Sequence, residues 1–191
     1  MSASTPVLSR RSALAAISGA AVSMLAAPAS ACGYDNPDDL AQYLINIRYP
    51  KAMYVRAAVA EAEAAGLLPP GASQKPGADP FAFLRAAARL KALGDRLAPP
   101  QTPGASAPIS LVLLESALWT RYTPASGVYA TQVHAPGPAP GDAVVVTETA
   151  VVTALLGRSL TFAAASTAEL VRLYGPDKGQ AALRAAFARF A

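Results

Sequence analysis

Apolar residues recur at helical spacing through the first part of the chain. Leu40, Tyr43, Leu44 and Ile47 fall at i, i+3, i+4 and i+7, which predicts one inward stripe of a helix. Asp35 or Asn36 caps its start, Pro37 sits in its first turn, and Tyr49-Pro50 breaks it. A second helix is predicted over Lys51–Ala65. Its inward positions are Val55, Ala58, Val59 and Ala62, Arg56, Glu61 and Glu63 look outward, and Gly66 is its C-cap. Asp79-Pro80 opens a third helix with a broad apolar face of Phe81, Phe83, Leu84, Ala88, Leu90, Leu93 and Leu97. Arg85, Arg89, Lys91 and Arg96 form its solvated basic face, and Pro99-Pro100 ends it.

From Ile109 the pattern changes to β-forming residues. Ile109–Tyr122 reads as one strand. Alternation puts Leu111, Leu113, Glu115, Ala117, Trp119 and Arg121 on one face, and Val112, Leu114, Leu118 and Tyr122 on the other. Gly127–Ala135 is a second strand, antiparallel to the first. A loop carrying three prolines then feeds the short strand Ala143–Val146. Thr147 is placed as the N-cap of a helix through Val151, Val152, Leu155 and Leu156 to Gly157, with Glu148 in its first turn. A short helix through Phe162–Ala165, a strand over Ala168–Tyr174 and an amphipathic helix capped by Asp177 complete the chain. The class predicted is α+β: a small antiparallel-rich sheet covered by helices, preceded by an N-terminal helical segment.

The leader bounds the rest. Met1–Ala31 reads as an export signal: Arg10-Arg11, the apolar stretch Ala13–Ala27, and small residues Ala29-Ser30-Ala31 for cleavage after Ala31. The route is the general secretory or the twin-arginine one, and the destination is the periplasm or the exterior. The organisation expected is signal 1–31, helical segment 32–98, Pro-rich linker 99–108 and α+β segment 109–191, the last three forming one domain. Cys32 would be the first mature residue and is the candidate lipidation site. A membrane partner follows only if Cys32 is lipidated or the signal is retained.

Charge and composition then exclude several chemistries. Removing Arg10 and Arg11 from the 16 basic residues leaves 14 against 12 acidic, a net charge of +2 with no dense basic patch, so nucleic acid is excluded as a partner. The single cysteine forms no intramolecular disulfide, and with His134 as the only histidine no zinc-finger ligand set exists. Asp35, Asp38 and Asp39 lack the glycine and terminal glutamate of a calcium loop. Glu115 is read as a bulged or exposed carboxylate and His134 as a structural or surface residue. No catalytic residue, cofactor or metal is assigned.

From Gly141 the order of elements carries a resemblance. Asp142 opens a strand, Thr147-Glu148 begin a helix that ends at Leu155-Leu156-Gly157, Leu160-Thr161 and Ala163–Ala165 form a short helix, and Leu170–Gly175 closes a strand on glycine. This half of the chain resembles sterol-carrier-protein-like lipid-binding domains. The resemblance implies a sheet with helices on one face and an apolar tunnel between them, holding a lipid-like small molecule without covalent chemistry. Leu113, Trp119, Val152, Leu155, Leu156, Phe162 and Phe187 are its candidate lining. The alternative is a periplasmic accessory or scaffold protein that grips a protein partner, with an enzyme third. A continuous cavity of several hundred cubic ångströms beside the 109–122 stretch favours the first, and a packed interior with an exposed apolar patch favours the second.

Overall fold

The structure is a computed structural model, and it describes residues 39–74, 81–98 and 107–191, all within the compact unit Cys32–Ala191. The leader, Cys32, Asp35, Asp38, the Asp79-Pro80 pair and most of the Pro-rich linker lie outside the described residues. In chain order the elements are α1 (Asp39–Arg48), α2 (Tyr54–Ala64), α3 (Ala82–Arg96), β1 (Ile109–Leu113), β2 (Leu118–Ala125), β3 (Val128–Val133), β4 (Ala143–Thr147), α4 (Thr149–Gly157), α5 (Phe162–Thr167), β5 (Arg172–Tyr174) and α6 (Asp177–Ala186), followed by a 3-10 turn at Phe187–Phe190. The five strands form one sheet in the order β3-β2-β1-β4-β5. Only the β1–β4 pair is parallel. The chain is α+β, as the pattern predicts.

The stretch Ile109–Tyr122 is not one strand. It folds back at Leu114–Ala117, where Ala117 takes φ +49°, and β1 pairs antiparallel with β2. The turn is fastened from outside: the Leu114 amide donates to the Thr147 carbonyl at 3.0 Å. Both faces of the stretch are apolar and no Gly or Pro marks the bend, so alternation alone runs straight through it. The fold-back changes which side chains share a face. Val112 stands opposite Trp119 and Leu113 opposite Leu118, so Trp119 and Leu113 point to opposite sides of the sheet.

Helices cover both faces, where the resemblance implies one. On the Leu113 face lie α3, α4 and α6. The buried Tyr122 hydroxyl donates to the Leu90 carbonyl of α3 at 2.9 Å, and Gly94 lets that helix close in, since a Cβ there would meet the Tyr122 ring at 2.9 Å. On the Trp119 face lie α1 and α2. Tyr49, at their junction, sits 6.0 Å from the Trp119 ring and 5.1 Å from the Tyr174 ring, and the Tyr174 hydroxyl donates to the Pro50 carbonyl at 2.8 Å. Apolar residues from both halves of the chain, Val55 and Leu90 as much as Leu111 and Val145, belong to one buried cluster.

Two helices are rotated from their predicted setting. In α1, Gln42, Ile45 and the following Tyr49 face inward, whereas Tyr43 (60% exposed), Leu44 (55%) and Ile47 (60%) face solvent. The inward face of α1 is chosen by Tyr49 filling the space between Trp119 and Tyr174, and by Gln42 reaching Arg56. In α3, Ala82, Ala86, Leu90, Leu93 and Gly94 are buried, while Phe81 and Leu84 are exposed. Small residues on the inner side allow the close approach to Tyr122 that a larger face would block. Smaller corrections concern boundaries. Glu148, not Thr147, is the N-cap of α4. Thr147 instead donates its hydroxyl to the Leu170 carbonyl at 3.0 Å. β5 keeps only three residues of the predicted Ala168–Tyr174, because Glu169 turns the chain at φ +56°.

Candidate functional site

The seven candidate lining residues do not surround one space. Leu113, Val152, Leu155, Phe162 and Phe187 are buried on the α4 side, and Phe162 stacks on Phe187 with centroids 4.4 Å apart. Leu156 is only partly buried there. Trp119 is on the other side of the sheet against Tyr49. Two cavities lined by described residues lie elsewhere. One of about 270 Å³ runs beside β5 and α6, past Arg172, Tyr174, Gln180 and Arg184. One of about 260 Å³ opens where α3 meets α4, lined by Asp95, Arg96, Arg158, Arg189 and Phe190, and Leu155 is the one candidate residue that borders it. Both are bordered by charged groups, unlike an apolar tunnel. His134 is exposed at φ +62°, edge-on to Phe83 at 6.0 Å. Cys32 lies outside the described residues.

A polar cluster sits at the carboxyl ends of the parallel strands β1 and β4. Glu115, read from the sequence as bulged or exposed, is buried in the β1–β2 turn. Its Oε1 accepts from the Thr149 amide at 2.9 Å and from the Thr149 hydroxyl, at the first residue of α4. Glu148 is buried next to it, and its Oε1 lies 3.3 Å from Arg56 Nε of α2. Arg56, predicted to point outward, turns inward and also donates to Gln42 Oε1 of α1 at 3.3 Å. Burial raises the Glu148 pKa to about 7, helped by the neighbouring Glu115 charge and opposed by Arg56. Burial likewise raises Glu115, against the bonds from Thr149. Glu115 Oε2, Gln42 Nε2 and Ser116 Oγ are buried without a hydrogen-bond partner among the described residues. Two carboxylates served by one guanidinium can hold a proton between them. Ser116, next to Glu115 in the chain, is the nearest hydroxyl in sequence, and no hydrogen bond joins it to either carboxylate among the described residues. Among the described residues no group of His, Cys, Asp or Glu is arranged to hold a metal. The sequence does carry a signal for this cluster: Glu115 and Glu148 each interrupt or follow an unbroken apolar run, where an acid must find a partner.

A third buried acid fixes the sheet. Asp142 Oδ2 accepts from Ser110 Oγ (2.7 Å), Arg121 Nε (2.9 Å) and the Ala139 amide (3.0 Å), and Oδ1 accepts from Arg121 NH2 at 3.0 Å. Burial alone would raise this carboxyl, but the Arg121, Ser110 and Ala139 bonds outweigh it and hold the pKa below the ordinary aspartate value. The bonds tie β1, β2 and the start of β4 together. Gly175 closes over the same point: it takes φ +107°, and a Cβ there would come within 3.0 Å of the Asp142 carbonyl oxygen. Arg121 thus pairs with Asp142 and leaves Glu115 to Thr149.

The outward face of α1 is the remaining feature. Tyr43, Leu44 and Ile47 stand together on it, with the exposed Arg48 and Lys51 at its carboxyl end. No described helix is long and apolar enough to cross a membrane.

No family model and no curated protein matches the chain. Among solved structures it is similar to the stereoselective inverting sec-alkylsulfatase Pisa1 from Pseudomonas sp., with 20% identity and a TM-score of 0.37, over 48% of this chain and 14% of that one. A likeness that distant transfers neither fold nor activity.

Proposed function

We propose that the chain is a non-catalytic binding protein of the cell envelope, and that it makes its contact through the outward face of α1. The observation that carries this reading is the inversion of that helix. Three large apolar side chains that helical periodicity assigns to the core are 55–60% exposed, while the inner face is filled by Gln42, Ile45 and Tyr49. Scattered exposed apolar residues are ordinary, but three on one helix face form a patch. The close packing of Leu113, Val152, Leu155, Phe162 and Phe187 supports a surface contact over a tunnel.

A photo-crosslinking residue in place of Tyr43 tests this in cells. The reading expects an adduct at position 43 and none with the same residue in place of Val128, which is 60% exposed at the distant β2–β3 turn. Equal labelling at both positions, or none at 43, removes it.

A further inference from the structure

The outward face of α1 has the composition of an interfacial helix. Tyr43 is amphipathic, Leu44 and Ile47 are aliphatic, and the long basic side chains Arg48 and Lys51 border them, exposed. Such a face buries its aliphatic residues at the headgroup boundary, keeps a tyrosine at the headgroup level and lets basic side chains reach lipid phosphates. The inner face of the same helix is fixed to the protein by Ile45, Tyr49 and the Gln42–Arg56 bond. The helix therefore presents its outer face without having to fold on contact.

Position along the chain names the occupant. α1 begins at Asp39, seven residues after Cys32 and twelve after Ala27, the end of the apolar stretch Ala13–Ala27. Seven residues span at most about 25 Å even when fully extended. If the leader is retained or Cys32 is lipidated, α1 is the described element nearest that anchor along the chain. A single acyl chain gives only marginal, reversible anchoring, and stable attachment takes a second signal. A further exposed apolar pair, Phe81 and Leu84, is on α3 across the sheet, far along the chain from Cys32.

We propose that α1 lies on the lipid bilayer through Tyr43, Leu44 and Ile47, with Arg48 and Lys51 on the lipid phosphates. This rests on the surface-contact reading above and names its partner as a membrane surface.

The experiment uses Cys32–Ala191, a compact unit of its own, with Cys32→Ser to remove any lipidation. The protein is sedimented with phosphatidylethanolamine vesicles containing phosphatidylglycerol. The expected result is reversible binding that falls about tenfold or more in Leu44→Ser/Ile47→Ser, as two aliphatic side chains lose their burial. Leu84→Ser should bind as the parent does. Circular dichroism melts of both variants should match the parent's, since each altered side chain is already exposed. Binding that is absent in the parent, or equal in the double variant, overturns the membrane assignment. Crosslinking at position 43 separates the two readings. Protein adducts without vesicle binding overturn the membrane and leave the surface contact standing, whereas no adduct and no binding overturn both.

Discussion

Glu148 and Arg56 meet across the seam between β4 and α2, with Oε1 and Nε 3.3 Å apart and the acid almost wholly buried. The separation allows attraction, but Glu148 Oε1 forms no hydrogen bond among the described residues. Burial and the Glu115 charge outweigh Arg56, and the Glu148 pKa rises from 4.5 to about 7. The folded protein therefore keeps a proton that the unfolded chain releases near the ordinary glutamate value. Stability is fully present below about pH 4.5 and is lost as pH rises through about 7, by roughly 3 kcal/mol. Urea unfolding at about pH 5 and about pH 8 should show this fall. Glu148→Gln should make the fall smaller, because the amide has no proton to lose, while Glu115, raised by its own burial, keeps a fall of the same sign. A stability that climbs over the same range would mean that the Arg56 pairing dominates after all.

Asp142 has the opposite sign. Its folded pKa lies below the ordinary aspartate value, so the stability it contributes is present above that value and is lost as pH falls through the folded one. Asp142→Asn should cost about 2–4 kcal/mol, since it leaves Arg121 with no counter-charge across three strands. Arg121→Lys should cost less, because a lysine keeps the charge and loses the two-pronged bond. Denaturant midpoints for the two variants check the order, and a larger loss in the lysine variant would show that shape outranks charge there.

The sequence is legible where local chemistry decides the structure. Thr161 caps α5 by accepting from the Ala164 amide at 3.1 Å. The positive φ of Gly141 and Gly175 marks the two ends of the stretch that runs from β4 to β5. It is least legible where two apolar faces compete. Ile109–Tyr122 is apolar on both sides, so nothing local reports the bend at Leu114–Ala117, and with it the separation of Trp119 from Leu113 goes unseen. In α1, tertiary contacts of Tyr49 and Gln42 override the stripe that periodicity favours. The Glu115–Glu148 cluster was half-visible. Acids next to apolar runs demand partners, but that the partner is Arg56, about 60 and 90 residues away in the chain, follows from how α2 packs on the sheet.

Gly94 and Gly157 both sit in helices and should respond in opposite directions to alanine. A Cβ on Gly94 would collide first with the Thr131 hydroxyl and then press the Tyr122 ring at 2.9 Å, and that ring is buried and its hydroxyl bonded to Leu90. Gly94→Ala should therefore lower stability by about 1–3 kcal/mol through overpacking. Gly157, the last residue of α4, has nothing within 4 Å of the added carbon. Gly157→Ala should be neutral or stabilising by up to about 1 kcal/mol, from helix propensity. Thermal unfolding of the two variants side by side measures how tightly α3 is seated, and equal effects would mean that α3 shifts to make room.

Phe187 decides between core and tunnel for the residues that the sequence marks as lining. It is buried, stacks on Phe162 at 4.4 Å and tilts against Phe190 at 5.6 Å. A side chain in such a position fills volume that its neighbours cannot reclaim, so Phe187→Ala should cost about 3–5 kcal/mol. A side chain that borders an open, ligand-ready space has fewer contacts to lose, and its truncation should cost under about 1 kcal/mol. The truncation also leaves a dry cavity able to take a small apolar molecule. Adding benzene to the Phe187→Ala protein should raise its melting temperature, while the parent protein should not respond. A parent that responds to the same probe already has room in this layer, and that result would return the tunnel implied by the sterol-carrier resemblance to first place.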